Sequence, residues 1–154
     1  MIWIIIILLV IVLDQISKAI ITSNMTLGQD IIIIEKFFYL TYWENSGAAW
    51  GVFQNGTYFF IPLNLILTGV LVYLLAKCSS SYLKIALSLI IGGALGNVID
   101  RIFRSGHVVD FLNFYIFGYD FPIFNIADSF IVVGTIVLSY YVIFKYKESD
   151  KIFM

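Results

Sequence analysis

Hydrophobic residues fall into four long runs, separated by segments richer in aromatic and turn-forming residues. A helix that crosses a bilayer needs about 20 mainly apolar residues. Four stretches meet that requirement, at residues 2–21, 58–76, 83–102 and 126–144. The first has no basic start and no small-residue cleavage site, so we interpret it as a retained span and not as a signal peptide.

The segments that connect these spans differ from ordinary polar loops. The stretch "IIIIEKFFYLTYWENSGAAWGVF" is rich in β-branched and aromatic residues, which predicts one or two short strands, and then a turn at Asn-Ser-Gly. Its Trp43 and Trp50 fit either an interfacial aromatic belt or a lipid-facing binding surface, and both interpretations stay open. The segment after the third span is similarly apolar, so we expect it to lie against the membrane as well.

Composition places the whole chain in the membrane. Of its 154 residues 61% are hydrophobic and 12% are charged, and the mean hydropathy is +0.98. A soluble domain is about 45–50% apolar and about 25% charged. We expect one integral membrane domain, residues 1–154, without nucleic-acid binding at a net charge of −1. The single Cys78 excludes an intramolecular disulfide, and the single His107 excludes a metal site made of histidines alone.

Positive charges predict how the chain is oriented. Lysines occur between the second and third spans and after the fourth, at Lys77, Lys84, Lys145, Lys147 and Lys151. The positive-inside rule places both groups on the cytoplasmic side. With four spans, both termini are then cytoplasmic, and the segments at about 23–57 and 103–125 lie outside.

The polar residues of the spans cluster at one depth. The first span carries Asp14 and Lys18, the third ends in "GNVIDR", and the fourth begins at Asn125 and Asp128. In the predicted orientation all of them lie in the outer half of the membrane. Each has a structural explanation taken singly: a neutralising pair, a water boundary, a helix cap. Together they favour a site, because intramembrane ionisable groups are rare and usually line a site or a pathway.

The residue types limit the chemistry of such a site. His107 is the only histidine and no Gly-x-Ser-x-Gly motif is present, which argues against a serine protease. No HExxH motif or comparable ligand set indicates a catalytic metal. Carboxylates remain, and two aspartates held close share one proton, so that one activates water and the other polarises a carbonyl. The pattern does not decide which two aspartates pair.

Five motifs resemble those of a known family, the lipoprotein signal peptidases (bacterial signal peptidase II), which are membrane aspartic peptidases. They extend from the first span to the last in the family's order and spacing: "DQISK" (14–18), "NSGAAWG" (45–51), "GGALGNVIDR" (92–101), "VVDF" (108–111) and "FNIAD" (124–128). The resemblance implies a mainly α membrane protein with four transmembrane helices and a small extracytoplasmic β-rich cradle.

The same resemblance implies the residues and the reaction. The catalytic pair falls on Asp110 and Asp128, and no metal or other cofactor is needed. The substrates are bacterial prolipoproteins in the cytoplasmic membrane, cut just before a cysteine that carries a diacylglyceryl group. We expect the protein to be a monomer. Further positions match residues that line or support the site: Asp14, Lys18, Asn45, Asn97, Asp100, Arg101 and Asn125.

Several of these residues are expected to have specific roles. Asn125 is expected to orient Asp128, and Asn45 to reach the substrate backbone. Arg101 and the Asp14–Lys18 pair are expected to form an electrostatic frame that compensates buried charge. The competing interpretation is a small proton- or ion-conducting protein. The clustering of charges near one face argues against it, because no polar path then crosses the bilayer.

Overall fold

Four helices dominate the computed structural model, which describes residues 1–47 and 56–145. All four are long and apolar enough to cross a membrane. The last continues into a π-helical turn, Tyr141–Lys145. The helices are α1 (Ile2–Asn24), α2 (Thr57–Lys77), α3 (Ser81–Phe103) and α4 (Ile126–Tyr140). The predicted mainly helical membrane fold is therefore confirmed.

A four-stranded antiparallel sheet accompanies the helices, in the order β1-β2-β3-β4. The strands are β1 (Asp30–Ile34), β2 (Phe38–Asn45), β3 (Val108–Ile116) and β4 (Tyr119–Asp120). Two strands in the first connecting segment agree with its β-branched and aromatic pattern. The sheet confirms the small β-rich element that the resemblance implied.

The strands β3 and β4 were missed in the sequence, where their segment was expected only to lie against the membrane. The reason is that Val108–Phe111 is buried on both faces, so the polar and apolar residues do not alternate along β3. The hairpin turn also lacks an Asn-Gly signal. It is formed by Phe117 and Gly118, both with positive φ, at 51° and 80°, as tight hairpin turns favour.

Helix α3 is the centre of the bundle and packs against each of the other three helices. Its glycines allow the close approach. A Cβ atom on Gly92 would lie 2.7 Å from Cβ of Val10, and one on Gly96 would lie 2.6 Å from Oδ2 of Asp14. A Cβ atom on Gly93 would collide with the carbonyl oxygen of Ala127. The spacing of small residues thus brings α1 and α4 against the polar end of α3.

The sheet rests on the end of α1. Ile21 and Met25, at that end, form a buried apolar cluster with Val109 and Phe111 of β3. This contact fixes β3 beside the helix ends that carry polar residues. The strand that holds Asp110 is therefore positioned by hydrophobic packing on its opposite face.

A buried ion cluster joins the same elements. The ammonium of Lys18 lies 2.9 Å from a carboxylate oxygen of Asp14 and 2.9 Å from one of Asp100, and all three side chains are fully buried. Asp14 also accepts a hydrogen bond from the backbone N–H of Ala127 at 3.0 Å. Asp100 accepts one from the backbone N–H of Val109 at 3.1 Å. The cluster therefore ties α1 and α3 to the start of α4 and to β3.

Removing the cation should destabilise the fold strongly. We expect Lys18→Met to cost about 3–5 kcal/mol, because Asp14 loses its counter-charge and Asp100 keeps only the partly exposed Arg104, 3.2 Å away. Lys36→Met removes an exposed lysine and is the matched control. Thermal unfolding in detergent measures both. Adding Asp14→Asn to Lys18→Met should recover part of the loss, and equal melting temperatures for the two single variants would contradict the role of the cluster.

Glycine at position 93 should be required for packing. Gly93→Ala places a methyl group against Ala127 and should cost about 1–3 kcal/mol through overpacking. Gly69→Ala is the control, since a Cβ atom there meets nothing within 4 Å. The melting temperatures of the two variants should differ clearly. A Gly93→Ala protein as stable as Gly69→Ala would show that α3 and α4 can separate freely.

Candidate active site

The nine predicted site residues come from five different elements. Eight of them lie in one continuous network of hydrogen bonds and ion pairs, and Arg101 is linked to it through the backbone of Gly47, which also bonds Asn45. Helix α1 carries Asp14 and Lys18, α3 carries Asn97, Asp100 and Arg101, and the start of α4 carries Asn125 and Asp128; strands β2 and β3 carry Asn45 and Asp110. Two titratable residues nearby do not join the network. His107 contacts the carbonyl of Arg104, and Asp120 is exposed on β4.

Two asparagine amides link Asp110 to Asp128. The Nδ2 of Asn125 donates to Oδ1 of Asp110 at 2.6 Å and to Oδ1 of Asn97 at 3.1 Å. The Nδ2 of Asn97 donates to Oδ1 of Asp128 at 2.8 Å. The chain of bonds from one carboxylate to the other therefore passes through both amides.

The orientation of each amide is fixed by a partner that can only donate. The ammonium of Lys18 has no acceptor, so the atom 3.0 Å from it must be the oxygen of Asn97. The backbone N–H of Asp128 likewise faces the oxygen of Asn125 at 3.0 Å. Both NH₂ groups are consequently turned toward the carboxylates. Lys18 thus acts on Asp128 through Asn97, which the sequence alone did not indicate.

Asp128 is also part of the start of α4. Asn125 is the N-cap residue, and its backbone N–H donates to Oδ2 of Asp128 at 3.2 Å, which completes a capping box. The other oxygen of Asp128 accepts the bond from Asn97. The cap and the polar network therefore use different oxygens of one carboxylate, and the structural and functional explanations hold together.

Asp110 is the more deeply buried carboxylate, with 3% of its surface exposed. Its Oδ2 accepts a hydrogen bond from Nδ2 of Asn45 at 3.0 Å. Burial, reinforced by the negative charge of Asp128, raises the pKa of Asp110 to about 7, although the bonds from Asn45 and Asn125 oppose the rise. Asp110 therefore keeps its proton below about pH 7 and loses it as the pH rises through that value.

Arg101 faces the cavity beside these carboxylates. Its Nη2 donates to the carbonyl of Gly47 at 3.0 Å, and its guanidinium lies 5.3 Å from the centre of the Phe60 ring. Its buried Nε has no hydrogen-bond partner within the described residues. The role of Arg101 in an electrostatic frame stays a prediction, and the structure adds that Arg101 lines the cavity.

The two carboxylates line a cavity of about 570 Å³. Asn45, Asn97 and Arg101 add polar surface to it. Its apolar lining comes from the segment before α4 and from the second turn of that helix, at Phe121, Pro122, Ile123, Phe124, Val132 and Val133. The arrangement places two carboxylates beside a largely apolar binding space.

Sequence reasoning missed Gln15. Its Nε2 lies 3.1 Å from a carboxylate oxygen of Asp14 and 3.1 Å from one of Asp100, so it supports the ion cluster beside Lys18. The sequence signal that could have identified Gln15 is a polar residue next to Asp14 within an apolar span. Residues 48–51 of the "NSGAAWG" motif, with Trp50, and the tail lysines Lys147 and Lys151 lie outside the described residues.

Comparisons with known proteins identify the family of the chain. A family model described as signal peptidase (SPase) II matches residues 6–144. Two solved structures, both described as a bacterial membrane enzyme obtained by the in meso method, superpose with a TM-score of 0.84. One, at 2.3 Å resolution, is 39% identical, with 95% of this chain and 92% of that chain covered. The other, at 1.9 Å resolution, is 40% identical, with 94% of each chain covered. The chain therefore belongs to the signal peptidase II family, aspartic peptidases of the membrane that process the signal peptides of lipoproteins.

Proposed function

We propose that this enzyme cuts prolipoproteins just before a diacylglyceryl-modified cysteine, with Asp110 and Asp128 as the catalytic pair. The observation that carries the proposal is the bonded chain from Asp110 through Asn125 and Asn97 to Asp128, beside an apolar-walled cavity. Two carboxylates that are fixed in this way and share one proton form the catalytic group of an aspartic peptidase.

The reaction uses the two protonation states of the pair. The ionised carboxylate takes a proton from a water molecule as that water attacks the scissile carbonyl carbon. The protonated carboxyl donates to the carbonyl oxygen, and a tetrahedral gem-diol forms. A proton then passes to the leaving nitrogen as the C–N bond breaks. The signal peptide leaves with a new carboxyl group, and the lipidated cysteine becomes the new amino terminus. Either aspartate can begin as the base, because a coupled pair titrates as a unit.

The surrounding residues have positioning and binding roles in this proposal. Asn45 and Asn125 hold the two oxygens of Asp110, and Asn97 holds one oxygen of Asp128. Arg101 lines the cavity with its Nη2 held by the carbonyl of Gly47, and in this proposal its positive charge acts on the carbonyl oxygen of the bound substrate. A buried guanidinium donor stabilises negative charge on such an oxygen more strongly than a group in water.

The location of the site fits a substrate that emerges at the outer membrane surface. The polar network lies at the ends of α1, α3 and α4 that meet the sheet, and the described lysines Lys77 and Lys84 lie at the opposite ends of α2 and α3. By the positive-inside rule, the termini are cytoplasmic and the site is extracytoplasmic. We propose a monomer, since the catalytic pair and its supports all come from one chain.

Cleavage of a diacylglyceryl lipobox peptide by the purified protein in detergent tests the proposal. With EDTA present, the native protein should release the signal peptide immediately before the lipidated cysteine, as mass spectrometry of both products would show. Asp110→Asn and Asp128→Asn should each lower kcat by about 10²–10⁴-fold or more, because acid–base transfer is lost. Both variants should have melting temperatures near that of the native protein.

Asp120→Asn is the matched control, because Asp120 lies in the same connecting segment but is exposed on β4. It should cleave like the native protein. Activity that survives in Asp110→Asn or in Asp128→Asn would refute the residue assignment. Equal cleavage of the unlipidated peptide would refute the requirement for a diacylglyceryl group.

A further inference from the structure

Four phenylalanine rings form a row that extends from the cavity across the sheet. Phe121 and Phe124 line the cavity, and their ring centres are 5.8 Å apart. The ring of Phe124 stacks on that of Phe114 at 5.8 Å, and Phe114 stacks on Phe38 at 4.5 Å. We call Phe121, Phe124, Phe114 and Phe38 the aromatic row. It reaches from the cavity wall to the start of β2.

The row lies on the same face of the sheet as Asp110. Side chains alternate along a strand, so Asp110, Leu112 and Phe114 of β3 point to one side. Phe38 is directly opposite Phe114 in the register of β2 and β3. Phe124 bridges to Leu112 on the other edge of β3. The row and the catalytic carboxylate therefore share one surface, and the row is continuous with the cavity.

The side chains of the aromatic row limit which kind of ligand can bind there. None of its four side chains carries a charge or a hydrogen-bonding group. The backbone beneath it is already paired: β3 bonds to β2 on one side, and Leu112 exchanges bonds of 2.8 and 3.1 Å with Phe124 on the other. A peptide therefore cannot add to β3 as a further strand. The row offers only ring faces and edges, which suit a hydrocarbon chain.

We propose that the aromatic row binds one acyl chain of the substrate's diacylglyceryl group and so selects for acyl-chain length. The inference rests on the proposed function. Cleavage just before the lipidated cysteine places the glyceryl thioether next to the catalytic carboxylates, at the cavity end of the row. A chain laid along the rings orients the cysteine for attack. Because bilayer lipid is as apolar as the rings, the row contributes packing and orientation more than transfer from water.

Substrates with two acyl-chain lengths test the proposal. Two lipobox peptides are compared, one with two palmitoyl chains and one with two short hexanoyl chains. Phe114→Thr removes a central ring and keeps a strand-forming residue. It should lower kcat/KM about three- to tenfold for the palmitoyl peptide and leave the hexanoyl peptide unchanged, because short chains do not extend to Phe114. Tyr115→Thr is the matched control, since Tyr115 is the next residue and faces the other side of β3; it should change neither value.

A photo-crosslink gives a second readout that does not depend on a folded variant. A palmitoyl peptide with a diazirine near the end of one chain is bound to the native protein and irradiated. Label is expected on peptides that contain Phe38 or Phe114.

The outcomes separate the two proposals. If the native protein cuts the palmitoyl peptide but Phe114→Thr affects both peptides equally or neither, the acyl-chain role is wrong and the peptidase function stands. Label confined to α2 or α4 leads to the same conclusion. If the native protein cuts neither peptide, the proposed function fails, and the acyl-chain role fails with it.

Discussion

The buried ion cluster of Lys18 with Asp14 and Asp100 is the constraint on which the site depends. A charge in the bilayer is costly, and here one ammonium lies between two carboxylates at 2.9 Å each, while backbone N–H groups of α4 and β3 donate to the same two carboxylates. Those backbone bonds fix where α4 begins and where β3 passes. The locations of Asp128 and Asp110 follow, because Asp128 lies at the start of α4 and Asp110 lies on β3. The same ammonium also donates to Asn97, so the cluster determines both the backbone frame and the direction of an amide beside the proposed catalytic pair.

Hydrogen bonding around the pair balances two opposing needs. A carboxylate in an apolar site needs donors, yet an acid that must give up and regain a proton cannot be held permanently ionised. Asp110 receives two neutral amide donors and no direct cation, and burial still raises its pKa to about 7. The ammonium of Lys18 donates to Asn97, and this amide separates its positive charge from the pair. The amides thus position both carboxylates while the pKa of Asp110 stays raised.

Much of this could be predicted from the sequence, for physical reasons. Spans as long as residues 2–21 have few alternatives to a membrane helix, and the separate motifs that include Asp14, Asp110 and Asp128 identify the polar cluster. What could not be predicted depends on long-range contact. Asn45 meets Asp110 across 65 positions of sequence, through strand pairing that the doubly buried β3 conceals. The rotation of α3, which turns Arg101 toward the cavity, and the alignment of the aromatic row depend on packing that no local pattern encodes.

Infrared spectroscopy of the purified protein tests most directly the proposal that Asp110 and Asp128 share a proton near neutral pH. A raised pKa means that Asp110 keeps its proton below about pH 7 and loses it as the pH rises through that value. We expect a protonated-carboxyl C=O band that disappears with a midpoint near 7 and is missing from the titration of Asp110→Asn. The contradicting result is the same carboxyl titration for the native protein and for Asp110→Asn from about pH 5 upward, which is near the upper end of the ordinary aspartate range. Asp110 would then be ionised already at about pH 5, and the shared proton would be ruled out.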